Sequence, residues 1–127
     1  MAQFVGEYSR NVDDKGRITI PTSFRDILGD GEFVIAFGSG EYLTVYTAED
    51  WGKYFGNRLV DDDADTEALV TMRKMARTAH PVKFDAQGKI SIPDKHRKHA
   101  SISEGVEAAI IGFGNRFEIW NKEKLTD

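Results

Sequence analysis

The sequence predicts a mainly β protein with short helices, an α+β chain built from two tandem copies of one small unit. The prediction rests on a motif that occurs twice in the 127 residues and on apolar residues that alternate with polar ones beside each occurrence. A stretch with helical periodicity separates the copies and is expected to join them. We place the first unit with a trailing helix at 1–60, the connecting helix at 61–79 and the second unit at 80–127.

The repeated motif spans residues 13–21 and 85–93, which read DDKGRITIP and DAQGKISIP. Asp, Gly, a cation, Ile, a hydroxyl residue, Ile and Pro recur in the same order at an offset of 72 residues. Farther on, residues 40–47 match 114–121 at an offset of 74. The two-residue change falls in a glycine-containing loop, where insertions are well tolerated. We interpret the pattern as an internal duplication.

Each copy predicts the same order of elements: a strand, a tight turn, a second strand, a short helix and a β-hairpin. Alternating Ile and hydroxyl residues indicate that the second strand is half-buried, and the Pro that follows suits the first turn of a helix. In the first copy an apolar stripe at helical spacing follows this Pro, and Gly29 is expected to end the helix. Strands are predicted at 4–12, 17–20, 33–37 and 43–46 in the first copy and at 82–84, 89–92, 108–113 and 117–120 in the second.

The connecting helix is predicted from about residue 63 to residue 78. An acidic run at 61–65 lies at its start, and several cations lie near its end, an arrangement that favours the helix dipole. The acidic run lacks the Gly and the downstream Glu of a calcium loop, so a helix start explains it better than a cation site. An apolar face at helical spacing is expected to dock on the body of the protein or on a neighbouring subunit; its residues are Leu69, Met72, Met75, Ala76 and Ala79.

Composition narrows the class of protein. The apolar and charged fractions are those of a soluble globular chain, and the absence of cysteine excludes disulfides, Cys-ligated zinc and thiol nucleophiles. The first residues lack the features of a signal peptide, and no apolar run approaches the roughly 20 residues of a membrane span, so we expect a cytoplasmic protein. The net charge is −4, yet residues 68–100 carry eight Lys or Arg against two Asp. Such a local basic tract can bind phosphate although the whole chain is acidic.

Two residues of each turn have a structural role. Asp13 and Asp85 are expected to accept hydrogen bonds from backbone N–H groups two or three residues farther on. Gly16 and Gly88 tolerate a positive φ. Because neither role requires a ligand, we assign these four residues to shaping the turns.

The cations of the two turns are different, because turn geometry does not require a charge. Lys15, Arg17 and Lys89 place positive charge on two equivalent hairpins, which could insert into a DNA groove or straddle phosphates as β-ribbon proteins do. An arginine suits bidentate contacts to guanine edges, whereas a lysine acts as a point charge. We therefore predict that these three residues contact double-stranded DNA.

Several segments together resemble the MraZ family, a bacterial family of the SpoVT/AbrB/MazE-like superfamily. They are FVGEY at 4–8, the motif at 13–21, the pair at 24–25 and GFGNRFEIW at 112–120, and they span nearly the whole chain in order. The resemblance implies two AbrB-like swapped-hairpin units related by pseudo-two-fold symmetry, in chains that assemble into ring-shaped homo-oligomers. It also implies a nucleoid-associated regulator, chiefly a repressor, that binds promoter repeats upstream of the division and cell-wall gene cluster.

The DNA-contacting Asp-x-x-x-Arg motif of that family falls on Asp13 with Arg17 and, more loosely, on Asp85 with Lys89. At the second site Lys89 keeps the charge but lacks the guanidinium fork. We therefore expect Arg17 to be the better reader of bases, and Lys89 to contact the phosphate backbone more than it reads bases.

Other candidate sites are set aside. No nucleophile motif, cofactor site, metal site or small-molecule ligand emerges, so no enzyme is predicted. His96 and His99 lie three residues apart without a third ligand nearby, so we expect a partly buried, hydrogen-bonded pair. The glycine-containing segments at 38–40 and 112–114 do not continue as phosphate-binding loops and are interpreted as hairpin turns. Three aromatic residues at helical spacing are expected in the core or at a subunit interface: Trp51, Tyr54 and Phe55.

The alternative function is a protein-interaction module, such as an antitoxin-like partner that neutralises another protein, since AbrB/MazE-like units do both jobs. An antitoxin would be expected to carry one β-unit and a disordered acidic tail, whereas this sequence predicts two units. A stoichiometric protein partner without DNA would favour this alternative.

Overall fold

The computed structural model describes residues 3–59 and 66–126, and the fold of these residues is α+β with an antiparallel sheet and four α-helices. The α+β class is therefore confirmed, although α2 and α3, of 12 and 13 residues, give helices a larger share than a mainly β chain with short helices would have. The strands are β1 (Glu7–Asn11), β2 (Arg17–Thr19), β3 (Phe33–Phe37), β4 (Tyr42–Thr47), β5 (His80–Val82), β6 (Lys89–Ser91), β7 (Glu107–Gly112) and β8 (Arg116–Asn121). The helices are α1 (Thr22–Leu28), α2 (Ala48–Leu59), α3 (Thr66–Thr78) and α4 (Asp94–Ala100), and a 3₁₀ turn (Lys122–Lys124) follows β8.

The two halves of the chain exchange strands. Six strands form one sheet in the order β1-β7-β8-β4-β3-β5, and β2 pairs with β6 in a separate two-stranded ribbon. The first strand of each half joins the hairpin of the other half, with Glu7 opposite Ile111 and Val82 opposite Phe33. Because β4 and β8 pair in the middle of the sheet, the two hairpins form one continuous layer. Neither half completes a sheet by itself.

The β2–β6 ribbon has one buried and one polar face. Ile18 lies opposite Ile90, and both side chains are fully buried. Since side chains alternate along a strand, the residues on either side of these isoleucines point to the opposite face. That polar face consists of Arg17, Thr19, Lys89 and Ser91.

The main core joins the ribbon, the sheet and α1. The rings of Phe4, Phe24 and Phe117 lie with their centroids 5.1 Å apart in each pair. Burying a large apolar side chain stabilises a fold by roughly 1.5–3 kcal/mol. The ribbon is therefore held in place by the same apolar cluster that holds the sheet together.

A second, smaller core lies where α2 and α3 pack against β3 and β4. It contains Ala36, Tyr46 and Met75, and the aromatic rings of α2 pack against it. The expectation that these aromatic residues belong to a core is confirmed; they are Trp51, Tyr54 and Phe55.

Part of the predicted apolar face of α3 docks on the body of the protein. Met72 and Met75 are buried and Ala79 is half-buried. Leu69, which is 37% exposed, and Ala76, which is also exposed, do not dock on the body. That these two residues pack against a neighbouring subunit stays a prediction. The predicted start of the helix at residue 63 lies outside the described residues.

The first strand of the second half lies two residues earlier than predicted, at His80–Val82 rather than at 82–84. Pro81 lies opposite Val34 in this strand, and β5 is the last strand of the sheet. A proline is accommodated there because an edge strand needs no hydrogen bond on its outer side. Phe84 leaves the sheet and packs its ring 4.9 Å from that of Phe33.

The helix boundaries and hairpins follow the sequence signals. α1 and α4 begin directly after Pro21 and Pro93, and Gly29 ends α1 with a φ of +74°. The segments at 38–40 and 112–114 are hairpin turns, as predicted, closed by backbone hydrogen bonds of 2.8 Å at each hairpin. Within residues 3–59 and 66–126, no helix is long and apolar enough to cross a membrane.

Candidate nucleic-acid interface

The first turn joins β1 to β2 and is organised by Asp13. Its Oδ1 accepts hydrogen bonds from the backbone N–H groups of Lys15 at 2.9 Å and Arg17 at 2.8 Å. Gly16 donates its N–H to the carbonyl of Asp13 at 3.1 Å, and its φ of +72° lies in the region that favours glycine. Asp13 thus accepts from residues two and four positions farther on, where the sequence predicted two or three.

The second turn, between β5 and β6, repeats this geometry. Oδ1 of Asp85 accepts from the backbone N–H groups of Gln87 at 2.8 Å and Lys89 at 2.9 Å. Gly88 donates to the carbonyl of Asp85 at 3.1 Å with a φ of +75°. The two turns therefore have the same backbone and the same Asp and Gly positions.

Pairing of β2 with β6 brings the charged residues of both turns together. Arg17 donates from Nε to Oδ2 of Asp13 at 2.9 Å and from Nη1 to Oδ2 of Asp85 at 3.4 Å. Lys89 donates from Nζ to Oδ2 of Asp13 at 3.4 Å. The side chains of Arg17 and Lys89 are each 26% exposed, so solvent reaches them although both are paired. We call Asp13, Arg17, Asp85 and Lys89 the ribbon charge cluster.

Both carboxyl groups of the ribbon charge cluster have a lowered pKa. The backbone N–H of Arg17 is the main cause that holds the pKa of Asp13 far below its ordinary value, and the N–H of Lys15 and the two neighbouring cations add to it. The backbone N–H of Lys89 likewise lowers the pKa of Asp85, with smaller contributions from Gln87 and Arg17. Partial burial opposes these effects without reversing them. Each carboxylate therefore stays ionised beside the cations.

Two further arginines, Arg25 and Arg97, each pack against the glycine of the turn in the opposite half of the chain. A Cβ atom at Gly16 would collide with the guanidinium of Arg97, and one at Gly88 would collide with that of Arg25. Arg97 also donates from Nη1 to the carbonyl of Ile92. Neither arginine was among the site residues predicted from the sequence. Both lie four residues after the Pro of their copy, and this recurrence is the signal that points to them.

The third predicted DNA-binding cation lies apart from the ribbon charge cluster. Lys15 is exposed at the tip of the first turn, where it lines a surface groove with Gly16 and with Arg97 and Lys98 of α4. The corresponding position of the second turn is Gln87, so only the first turn has a cation at its tip.

The two histidines of α4 serve packing. His96 is fully buried and its Nε2 lies 2.7 Å from the carbonyl oxygen of Thr78, while burial lowers its pKa. His99 lies with Nε2 2.7 Å from the carbonyl oxygen of Gly40 and stacks on the ring of Phe37 at 3.9 Å. Both are hydrogen-bonded as predicted, and His96 is buried more fully than expected. In the part of the chain that the structure describes, no group of three or more His, Asp or Glu is placed to hold a metal ion; the acidic run at 61–65 lies outside it.

Comparison with known proteins assigns the chain to a family. The family model described as "MraZ protein, putative antitoxin-like" matches residues 3–72 and 75–126. Proteins named "Transcriptional regulator MraZ" are 38% identical in Halothermothrix orenii, over 95% of this chain and 82% of the relative, and 38% identical in Alkaliphilus oremlandii, over 93% and 80%. The protein of the same name from Lachnoclostridium phytofermentans is 36% identical over 95% of this chain and 83% of the relative.

A solution structure of a protein from Pyrococcus horikoshii is also similar, with a TM-score of 0.37 and 16% identity over 91% of this chain and 87% of that chain. At that TM-score the likeness carries no argument about the fold. The family match and the relatives extend over both turns, both hairpins and the helices between them. The chain is a member of the MraZ family.

Proposed function

We propose that the protein is a DNA-binding transcriptional regulator, chiefly a repressor, that recognises promoter repeats upstream of the division and cell-wall gene cluster. The contact surface is the polar face of the β2–β6 ribbon. The names of three relatives support the role in transcription. The strand exchange between the two halves is consistent with two AbrB-like swapped-hairpin units in one chain.

The observation that carries the proposal is the Arg17 guanidinium, held in one orientation on the outer face of a β-ribbon. Among the hydrogen bonds of residues 3–59 and 66–126, Asp13 and Asp85 accept one each from this guanidinium, which leaves three of its five N–H groups for a ligand. A donor fork that is already oriented loses less side-chain entropy when it binds. Arg17 is therefore suited to the paired acceptors of a guanine edge in the major groove.

The carboxylates of the ribbon charge cluster favour a base contact over a phosphate contact for Arg17. Two carboxylates balance the two cations of the cluster, so its attraction for a phosphate is weak. A directed hydrogen bond to a neutral base edge needs no net charge. Lys89 has no fork and contributes a single point charge, so we assign it a phosphate contact.

An acidic chain binds DNA in this proposal because several copies act together. In a ring-shaped homo-oligomer, many ribbons face the same way and can engage several repeats at once. Each additional engaged ribbon raises the overall affinity without any new kind of contact. Weak individual contacts thus give a stable complex.

The proposal is tested by fluorescence anisotropy with a DNA fragment from the protein's own genome that contains the promoter repeats, and with a scrambled fragment of equal length. The wild-type protein is expected to prefer the repeats. Arg17→Ala is expected to lose that preference, because one bidentate base contact discriminates by roughly 1–3 kcal/mol, or about five- to 150-fold. Binding to the scrambled fragment is expected to change little.

Arg10→Ala is the matched control, since it also removes one arginine. Arg10 lies on β1, where it bonds to the carbonyl of Ser9 and has no part in the ribbon charge cluster. Circular dichroism and the mass in solution verify that both variants fold and assemble alike. Full retention of the preference for the repeats by Arg17→Ala would overturn the assignment of that residue.

The second candidate function is an antitoxin-like interaction with another protein, and the words "putative antitoxin-like" in the family description favour it. The two functions are distinguished by purifying the protein from its own cells and analysing what remains bound. DNA fragments carrying the repeats support the regulator. A stoichiometric protein partner without DNA supports the antitoxin-like role.

A further inference from the structure

A groove lined by cations lies between the C-terminal end of α3 and α4, away from the ribbon charge cluster. Lys74 and Arg77 line it from α3, and Lys95 and Lys98 line it from α4, around a volume of about 670 Å³. All four side chains are exposed, and among the residues that the structure describes no carboxylate lines the groove. We call it the α3–α4 groove.

The cations of the α3–α4 groove are mostly uncompensated. Lys98 pairs with Asp94 at 3.1 Å, but within residues 3–59 and 66–126 no ion pair involves Lys74, Arg77 or Lys95. The dipole of α3 favours cations at its C-terminal end, but it does not require the two further cations that line the groove from α4. Uncompensated cations in one groove repel each other, and an anionic ligand relieves that repulsion.

The walls of the α3–α4 groove are fixed before any ligand binds. The carbonyl oxygen of Thr78, at the end of α3, lies 2.7 Å from Nε2 of His96 in α4. Oγ1 of Thr78 accepts a hydrogen bond from the backbone N–H of Phe37 at 3.0 Å, and His99 stacks on the ring of Phe37. A ligand would therefore order only the flexible ends of the cationic side chains.

The α3–α4 groove adjoins the surface of the first turn, because Lys98 lines both this groove and the groove that contains Lys15. The groove of Lys15 is lined by three carboxylates, those of Asp14, Asp94 and Glu104, as well as by three cations, so the excess of positive charge lies in the α3–α4 groove. α4 has seven residues and is about 10 Å long at roughly 1.5 Å per residue. One DNA strand carries a phosphate about every 3.4 Å along the helix axis, so a groove bordered by this helix is long enough for several phosphates.

We propose that the α3–α4 groove binds the phosphate backbone of the DNA that flanks the repeat contacted by the ribbon. This inference rests on the proposed function and assigns the two surfaces different work. The ribbon charge cluster, in which carboxylates balance the cations, reads bases. The α3–α4 groove, in which the cations are mostly unbalanced, attracts DNA independently of its sequence, and this attraction is sensitive to salt.

The test compares two triple variants that remove the same charge. Lys74→Gln, Arg77→Gln and Lys95→Gln together neutralise the groove. Lys53→Gln, Lys122→Gln and Lys124→Gln form the control; these lysines line neither groove, and each makes an exposed ion pair of small energetic weight. Affinity for the repeat fragment and for the scrambled fragment is measured from 50 to 200 mM salt.

The groove variant is expected to flatten the plot of log affinity against log salt by roughly 2.7 per subunit engaged, because each phosphate contact contributes about 0.9 to that slope. Its affinity falls equally for both fragments, so the preference for the repeats is kept. The control is expected to change the slope far less. Arg17→Ala gives the opposite result, with the preference lost and the slope nearly kept.

Equal slopes for the groove variant and the control would overturn the inference while the proposed function stands. A changed mass in solution for the groove variant alone would also overturn it, because the groove would then be an interface between copies. Selective loss of affinity for the repeats would contradict a sequence-independent role. A wild-type protein that binds neither fragment would instead refute the proposed function, and the inference with it.

Discussion

The turns at 13–17 and 85–89 share one backbone and differ in how they hold charge. In each, an Asp Oδ1 accepts two backbone N–H groups at 2.8–2.9 Å. Arg17 of the first turn reaches both carboxylates, whereas Lys89 of the second reaches only that of the first turn. Asp13 is therefore the centre of the ribbon charge cluster and Asp85 its edge. The backbone conformation that the two turns share therefore does not determine their ion pairs, which differ because the side chains differ.

The largest effect is expected where the two turns are equal, at their glycines. Gly16→Ala and Gly88→Ala should each destabilise the fold by at least about 1–2 kcal/mol, the usual cost of a left-handed backbone for a residue with a Cβ. Displacing the guanidinium that lies against each glycine adds to the loss. Urea denaturation measures both variants.

Gly52→Ala is the control for these glycines, because Gly52 lies in α2 with open space around it and should be neutral or stabilising by roughly 0.5–1 kcal/mol. If the free energies of unfolding lost in Gly16→Ala and Gly88→Ala differ by more than about 1 kcal/mol, the two turns are not equivalent in energy.

The next effect concerns the unequal cations. Arg17→Lys is expected to weaken binding to the repeats by roughly tenfold or more, because a point charge replaces a bidentate fork. Lys89→Arg places a guanidinium fork on the second turn and is expected to strengthen binding to the repeats by a smaller factor. Anisotropy titrations at one fixed salt concentration measure both. A stronger loss in Lys89→Ala than in Arg17→Ala would reverse the order of the two turns.

A smaller effect is expected from acid. The pKa of Asp13 and that of Asp85 are lower in the folded protein than their ordinary value of 3.8, so the folded state binds fewer protons than the unfolded state. Their contribution to stability is complete above that value and is lost as the pH falls through it and below. Urea midpoints between pH 5 and pH 2 should fall less steeply in Asp13→Asn than in Asp85→Asn, because Asp13 has the more strongly lowered pKa and keeps losing stability at pH values where the loss from Asp85 has levelled off. Parallel curves for the two variants would contradict a central role for Asp13.

The smallest effect is expected at the turn tips. Lys15→Gln should lower the slope of log affinity against log salt by about 0.9 per engaged subunit, and Gln87→Lys should raise it by a similar amount. Neither change alters the backbone of a turn, since both side chains are exposed. An unchanged slope in both variants would show that the tips do not approach phosphate.

Local sequence signals account for the elements of the fold but not for their partners. The alternation of Ile with Thr or Ser predicted β2 and β6, and Pro21 with Gly29 predicted the ends of α1. The pairing of β2 with β6 joins residues that are 70 to 74 positions apart, and no local periodicity reports it. The start of β5 at His80 was missed for a similar reason, because the strand contains Pro81, which fits only at a sheet edge, and only the assembled sheet has an edge.

Only part of the candidate site could be predicted from the sequence, because local signals do not report contacts between distant segments. The cations Lys15, Arg17 and Lys89 stand out in the sequence because a turn does not need them. That Arg17 and Lys89 are held by carboxylates of the opposite turn follows from the ribbon pairing, which a single sequence does not encode locally. Of the α3–α4 groove, the sequence indicated only a basic tract at 68–100, since the cations of the groove come together through the packing of two helices that are distant in the chain.

The exchange of strands also governs when the protein can fold during its synthesis. β1 leaves the ribosome well before its partner β7, with Glu7 opposite Ile111. Contacts between such distant residues slow folding, because a long loop must close before they form. β1 must therefore wait, unpaired, until β7 has been made. The two halves then become native together, as a single event that follows the synthesis of β7.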